Sequence, residues 1–311
     1  MERYIYGIDV GGTTIKIGLF SLKGTLMKKW AIDTDLRDSG KNILKDIAEA
    51  IKNESISMDE IEGFGFGVPG PVKDDIVIEA VNLGWVNLDL KREFLRYFDQ
   101  PLTIKVYNDA NIAALGEQAF GAGKNVDNMV LFTLGTGVGG GVIEQGKIIE
   151  GAHGAGGEIG HMYIGDYDLR CGCGNLGCLE TLASATGVKK LASYFIETTH
   201  LNTKLRTETS FSAKYVFELA KNGDELALKV VDEVANALAK ACQIISVITN
   251  PDCFVFGGGV SLAGEFLLHK IEQKFKAIAF NPVKDKTAFY LAELGNDAGI
   301  YGCYQAVRTN D

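Results

Sequence analysis

The stretch Tyr4-Ile5-Tyr6-Gly7-Ile8-Asp9-Val10-Gly11-Gly12-Thr13-Thr14-Ile15-Lys16-Ile17-Gly18-Leu19-Phe20 reads as strand, glycine turn and strand. Apolar and β-branched residues fill positions 4–9 and 15–20, Gly11-Gly12 separates them, and Leu22-Lys23-Gly24-Thr25 makes a second turn. The same layout returns at residues 129–143, followed by Glu144-Gln145-Gly146-Lys147. Two such hairpins in successive parts of one chain suggest a duplicated unit whose glycine-rich tips face each other across a cleft.

Working outward, further strands are predicted at residues 63–68, 103–107, 253–256 and 288–291, with 141–144 as the second arm of the later hairpin. Helices are predicted at 43–52, 90–98, 111–120, 183–200, 213–221, 225–249, 265–280 and 298–307. The 225–249 segment repeats apolar residues at helical spacing (Leu228, Val231, Val234, Ala235, Leu238, Cys242, Ile245), and Asn250-Pro251 stops it. Helices alternating with strands place the chain in the α/β class with covered sheets.

A length of 311 residues, at roughly 150 per domain, leads to an expectation of about two domains. Forty acidic against 31 basic residues leave a net charge of −9, which repels phosphate backbones and disfavours nucleic acid as a partner. No apolar run reaches the roughly 18 residues of a membrane span. The opening Met1-Glu2-Arg3-Tyr4 lacks a signal-peptide layout, so a cytoplasmic location is expected. Glycine is in excess: 38 residues, where about 7% of the chain would be roughly 22. The excess falls in short clusters beside strands, the arrangement of a site built from main-chain amides that hold phosphate.

No G-x-x-x-x-G-K-[ST] loop occurs, and no glycine cluster opens a helix in the dinucleotide-binding pattern. The candidates are instead Asp9, Gly11, Gly12, Thr13 and Thr14 at the first tip, Gly135, Thr136 and Gly137 at the second, and Gly257, Gly258 and Gly259 after a late strand. Phosphoryl transfer needs such donors aimed at spreading negative charge. Asn108-Asp109-Ala110-Asn111 follows a strand and opens a helix. Either Asn108 or Asp109 can cap that helix, which leaves the other spare. A spare carboxylate at a strand end is a candidate acceptor for the proton of an attacking hydroxyl.

His161 with Cys171, Cys173 and Cys178 has the composition of a closed Cys₃His zinc site. Three thiols within eight residues cannot pair evenly, which disfavours a disulfide, and His153 is a competing nitrogen ligand. Cys242, Cys253 and Cys303 are expected in the core, and His200 and His269 on helix surfaces. Glu158 and Glu180 flank the loop, where metal binding would draw the two carboxylates together. Paired carboxylates are also used by glycosidases. Holding sugar hydroxyls beside phosphate hairpins accounts for both sets of residues.

Residues 9–14, 67–71, 82–85, 108–117, 134–141, 154–161, 171–186, 256–261 and 294–299 together resemble the ROK-family sugar kinases, in the zinc-containing form of Gram-positive bacteria. The resemblance implies an actin- and hexokinase-like (ribonuclease H-like) α/β fold of two domains with a cleft between them. Residues 1–119 plus 298–311 would form the small N-terminal domain, and 120–297 the large one carrying the zinc loop. The implied activity is ATP-dependent phosphorylation of glucose to glucose 6-phosphate, with Mg²⁺ beside ATP and Zn²⁺ in a structural role. Kinases for N-acetylmannosamine or fructose share these motifs, and the family also holds sugar-responsive repressors.

Carried over residue by residue, Asp109 resembles the catalytic base, and Asn82, Asn108, Glu158, His161 and Glu180 resemble the sugar-binding set. His161 would serve twice, one ring nitrogen on zinc and the other on the sugar. The two hairpin tips resemble the phosphate loops, 257–259 the adenosine side, and Asp9 a holder of Mg²⁺ through water. Tyr107 stands where many relatives have an acid. A homodimer or homotetramer is the implied assembly.

Overall fold

In the computed structural model the opening hairpin is β1 (Tyr4–Val10) and β2 (Thr14–Ser21), antiparallel with Asp9 opposite Lys16, and β3 (Leu26–Asp33) extends it. Residues 2–165 and 167–309 are described; Met1, Asp166, Asn310 and Asp311, and with them the outer ends of the expected small domain, lie outside the described residues. Helix α1 (Ile43–Lys52) crosses to β4 (Ile61–Val68), parallel to β1. A small antiparallel sheet of β5 (Val72–Lys73), β6 (Ile76–Ala80) and β7 (Trp85–Asp89) follows. Helix α2 (Leu90–Leu95) then leads to β8 (Thr103–Asn108), parallel to β4. The first sheet therefore runs β3-β2-β1-β4-β8.

Helix α3 (Asp109–Phe120) passes to a second meander, β9 (Met129–Leu134), β10 (Val138–Glu144) and β11 (Lys147–Ile148). Helices α4 (Glu180–Ala183), α5 (Ala185–Thr198), α6 (Ala213–Lys221) and α7 (Glu225–Ser246) come next. They are followed by β12 (Cys253–Gly257), α8 (Glu265–Ile278), β13 (Ala288–Leu291) and α9 (Ala298–Arg308). The second sheet runs β11-β10-β9-β12-β13. Each sheet is a three-stranded antiparallel meander with two parallel strands added beside its first strand. The repeat legible in the two hairpins is thus a repeat of topology.

Several elements depart from the sequence expectation. The helix expected over 183–200 is broken at Ser184, whose extended backbone (ψ 163°) and hydroxyl, accepting from Gly187 N at 2.9 Å, cap α5. Helix α7 stops at Ser246 and not at 249, and Asn250 before the proline is left-handed at φ +47°. Strand β10 begins at Val138, through three glycines, because ladder pairing with β9 outweighs glycine's poor strand preference. Strand β3 and the small β5–β7 sheet were not anticipated: β3 shows half-exposed alternation on an edge, and the small strands span two to five residues.

One core packs the first sheet against α1 and α2, with Ile8, Phe64, Phe66, Ile47 and Phe94 fully buried. A larger one surrounds α7, with Phe132, Phe254, Phe256, Val234 and Leu238. A third cluster joins the two halves, drawing Ile112 from α3, Leu131 and Val255 from the second sheet, and Cys303 from α9. Helices α3 and α9 cross so closely that a side chain at Gly302 would collide with the Ile112 carbonyl. Cys242, Cys253 and Cys303 are buried, as expected of small core residues. No helix among the described residues is long and apolar enough to cross a membrane.

Candidate active site

Parallel strands expose their carboxyl ends on one edge, and α/β sheets place ligands there. Here both sheets turn those edges toward one cavity of about 1060 Å³. Asp9 comes from β1, Asn108 from β8, Gly135 from the turn after β9, and Gly257 from the end of β12. Asn82 reaches it from the turn between β6 and β7, and Glu158, His161 and Glu180 from the segment after β11. Gly137, Gly258 and Gly259 also line it.

Gly11, Gly12, Thr13, Thr14 and Thr136 do not line the cavity. The Gly11 amide is taken up inside its own turn, donating to Thr14 O at 3.1 Å. At that tip the groups facing the cavity are side chains, Asp9 and Lys16. Lys16 was not selected from the sequence. Its Nζ lies 3.2 Å from Asp9 Oδ2 and donates to Asn296 O at 2.9 Å. The available signal was register: a lysine in an apolar strand directly opposite Asp9. Asn296 and Leu262 are further lining residues that had been given no role.

At the start of α3 the choice between Asn108 and Asp109 is resolved by geometry. Asn108 Oδ1 accepts from Ala110 N at 2.9 Å and Asn111 N at 3.1 Å, and its Nδ2 donates to Gly70 O at 3.1 Å. Asn108 is the cap. Asp109 keeps one local bond, from Ala110 N at 2.8 Å, and opens onto the cavity. Asp109 stays exposed at the cavity, and partial desolvation by the cavity walls is the largest of the causes that together raise its carboxyl to about 6. The Asp9 carboxylate is the next cause and Glu158 a smaller one, against the lowering pull of the Ala110 N–H.

Glu180 joins the second hairpin to the cysteine loop. Its Oε2 accepts from Val138 N at 3.1 Å, and its Oε1 lies 3.3 Å from Cys171 Sγ. A Cβ at Gly137 would meet the Glu180 carboxylate, so a larger residue there would displace that side chain from Val138 N.

The His161 Nδ1 and the three sulfurs all lie within 4.8 Å of one another. Cys173 and Cys178 Sγ are 3.7 Å apart, and His161 Nδ1 is 3.7 Å from Cys171 Sγ. A tetrahedral ion with Zn–S of about 2.3 Å requires sulfur–sulfur edges of about 3.8 Å, so the four residues fit zinc. Backbone pairing holds the knot closed, with Cys171 N donating to Asn175 O at 2.8 Å and Leu179 N to Met162 O at 2.9 Å. Burial raises the Cys171 and Cys178 thiols, while the Asn175 backbone lowers Cys173. Buried thiolates need a cation to offset that desolvation. His153 is exposed and outside the cluster. With Nδ1 toward the sulfurs, His161 Nε2 points toward Glu158, 4.0 Å from its Oε2, and the ring also borders the cavity.

A family model described as ROK family matches residues 5–310. The chain is 42% identical to a glucokinase of Halalkalibacterium halodurans, over 97% of this chain and 94% of that one. It is 34% identical to a glucokinase of Thermotoga maritima, covering 98% and 97% of the two chains. Among solved structures it is similar to a ROK family glucokinase from Streptomyces griseus in complex with glucose and AMPPNP. That match has a TM-score of 0.77 and 30% identity, over 99% of this chain and 100% of that one.

Proposed function

The chain belongs to the ROK family, and we propose that it is an ATP-dependent glucokinase, moving the γ-phosphoryl group of ATP to the 6-hydroxyl of glucose. The observation that carries this reading is a single cavity uniting a proton-seeking carboxylate, Asp109, with Asp9 and Lys16 of the first sheet and the glycine-rich strand ends of the second. The glucokinase relatives and the glucose- and AMPPNP-bound neighbour support the same substrate pair.

In the proposed mechanism Asn82, Asn108, Glu158, His161 and Glu180 hold the sugar hydroxyls. Asp109 takes the proton of the 6-hydroxyl as its oxygen bonds to the γ-phosphorus and the bond from that phosphorus to the bridging oxygen of ADP breaks. Charge on the phosphates is met by Lys16 and by the amides of Gly137, Gly258 and Gly259, the Gly135 amide being donated to Gly137 O at 3.0 Å. Mg²⁺ supplies charge neutralisation across the phosphates, and Asp9 is the residue to hold it through water. Zinc at His161, Cys171, Cys173 and Cys178 supplies structural order only. The cysteine knot orients His161 and, through Cys171, Glu180.

A base must be ionised to act. With Asp109 raised to about 6, kcat/KM for glucose should climb with pH through that region and level off above it. A profile flat between pH 5 and 7 would remove Asp109 from the role. Substrate identity is tested by ATP-dependent phosphorylation of glucose, N-acetylmannosamine, fructose, mannose and allose side by side. Glucose should be turned over with the highest kcat/KM. A preference for N-acetylmannosamine or fructose would reassign the substrate within the family, and inactivity toward all five would favour a sugar sensor.

A further inference from the structure

Glu117 sits in the last turn of α3, where the helix dipole disfavours an acid, and it is 1% exposed. Its carboxylate is satisfied by three backbone amides. Oε2 accepts from Ala122 N at 3.0 Å and Glu293 N at 3.1 Å, and Oε1 accepts from Leu294 N at 2.8 Å. The first of these closes the helix end. The other two come from the segment between β13 and α9, more than 170 positions away, which lines the cavity through Ala292, Gly295 and Asn296.

We propose that Glu117 is a positioning residue that sets the segment 292–296 for the nucleotide, an inference that rests on the kinase reading for the identity of that ligand. Asp109 and Glu117 lie on one helix, eight positions and about 12 Å apart along its axis. Helix α3 thereby carries the base at one end and holds a wall of the nucleotide side at the other. The far end of the same segment is tied by Lys16 to Asn296 O and by Lys29 to Asp297 at 2.7 Å. Its placement is built from side chains of α3, β2 and β3. Two donors converge on Oε2 and one on Oε1, so a side-chain amide at this position must turn its NH₂ toward at least one backbone N–H.

The test is Glu117→Gln, which keeps the shape of the side chain. ATP KM, and AMPPNP affinity by calorimetry, should weaken roughly tenfold, the scale of losing one hydrogen bond to a buried charge. Glucose KM should stay within about twofold, and amide exchange at Glu293 and Leu294 should accelerate while β1 and β9 stay protected. Gln118→Ala is the control for a merely structural role. It removes a bond of Nε2 to Val126 O (2.8 Å) at the same helix end and should lower Tm without moving ATP KM. Equal weakening toward glucose and ATP in Glu117→Gln, or unchanged nucleotide affinity, would overturn the proposal. If the wild-type protein phosphorylated no sugar, the kinase reading alone would fall, because calorimetry and exchange still read the tie.

Discussion

Asp109→Asn is expected to bind glucose normally and to lose roughly 10²–10⁴-fold in turnover, the range for removing a general base. The substitution is close to isosteric, and the helix it opens does not depend on it, since Asn108 already caps α3 with two accepted bonds. The local bond from Ala110 N can be accepted equally by an amide oxygen. Stability should not fall. The carboxyl is raised from 3.8 to about 6 in the folded protein, so at neutral pH its ionisation works against folding, and that penalty grows as pH rises between those two values. A neutral amide removes the penalty. The combined signature is a Tm equal to or above wild type, unchanged glucose binding by calorimetry, and a collapsed kcat. Near-normal kcat would falsify the assignment, and a lowered Tm would undo the electrostatic account of the site.

Removing the metal should act on the other ligand. With a chelator, or in Cys173→Ser, zinc content by elemental analysis should fall from one equivalent toward none. Structural zinc contributes folding free energy outright, on the order of 10 kcal/mol or more in small zinc peptides, so the loop cannot keep its shape without it. Glu180 reaches both Cys171 and Val138, and His161 belongs to the cluster while bordering the cavity. Glucose KM is therefore expected to rise at least about tenfold, the result of losing one or more hydrogen bonds to charged groups. ATP KM should rise less, because the knot reaches the phosphate side only indirectly, through the Glu180 bond to Val138 N. A zinc-free preparation with unaltered glucose affinity would show that the knot does not order the sugar side.

Much of the architecture was legible because it is written in short-range patterns. The two hairpins, the long apolar stripe of α7 and the cysteine–histidine spacing each depend on residues a few positions apart. The errors have local causes as well. Ser184 breaks a continuous helical pattern because its hydroxyl competes for the backbone, a choice that apolar periodicity does not register. Strand β10 runs through glycines because its partner is already in place.

The site was legible in part. The sequence pointed to Asp109 and Asn108 as a pair without saying which would cap, and to Asp9 without its partner. Glu117 carried no such signal, because a charged residue near a helix end shows no sign of the two amides that reach it from residues 293 and 294.

By itself, then, the sequence determined the α/β alternation, the repeated glycine-tipped hairpins and a Cys₃His cluster with the spacing of a zinc site, all of which follow from backbone preferences and ligand chemistry acting over a few residues. Tertiary structure alone decided that Lys16 shares Asp9 with the Asn296 carbonyl and that Glu117 is buried against residues 293 and 294. It also decided that Asp109 holds its proton to about 6. Those properties arise from desolvation and from charges and dipoles brought together across long stretches of chain, and they come into being only when the two sheets close on one cavity.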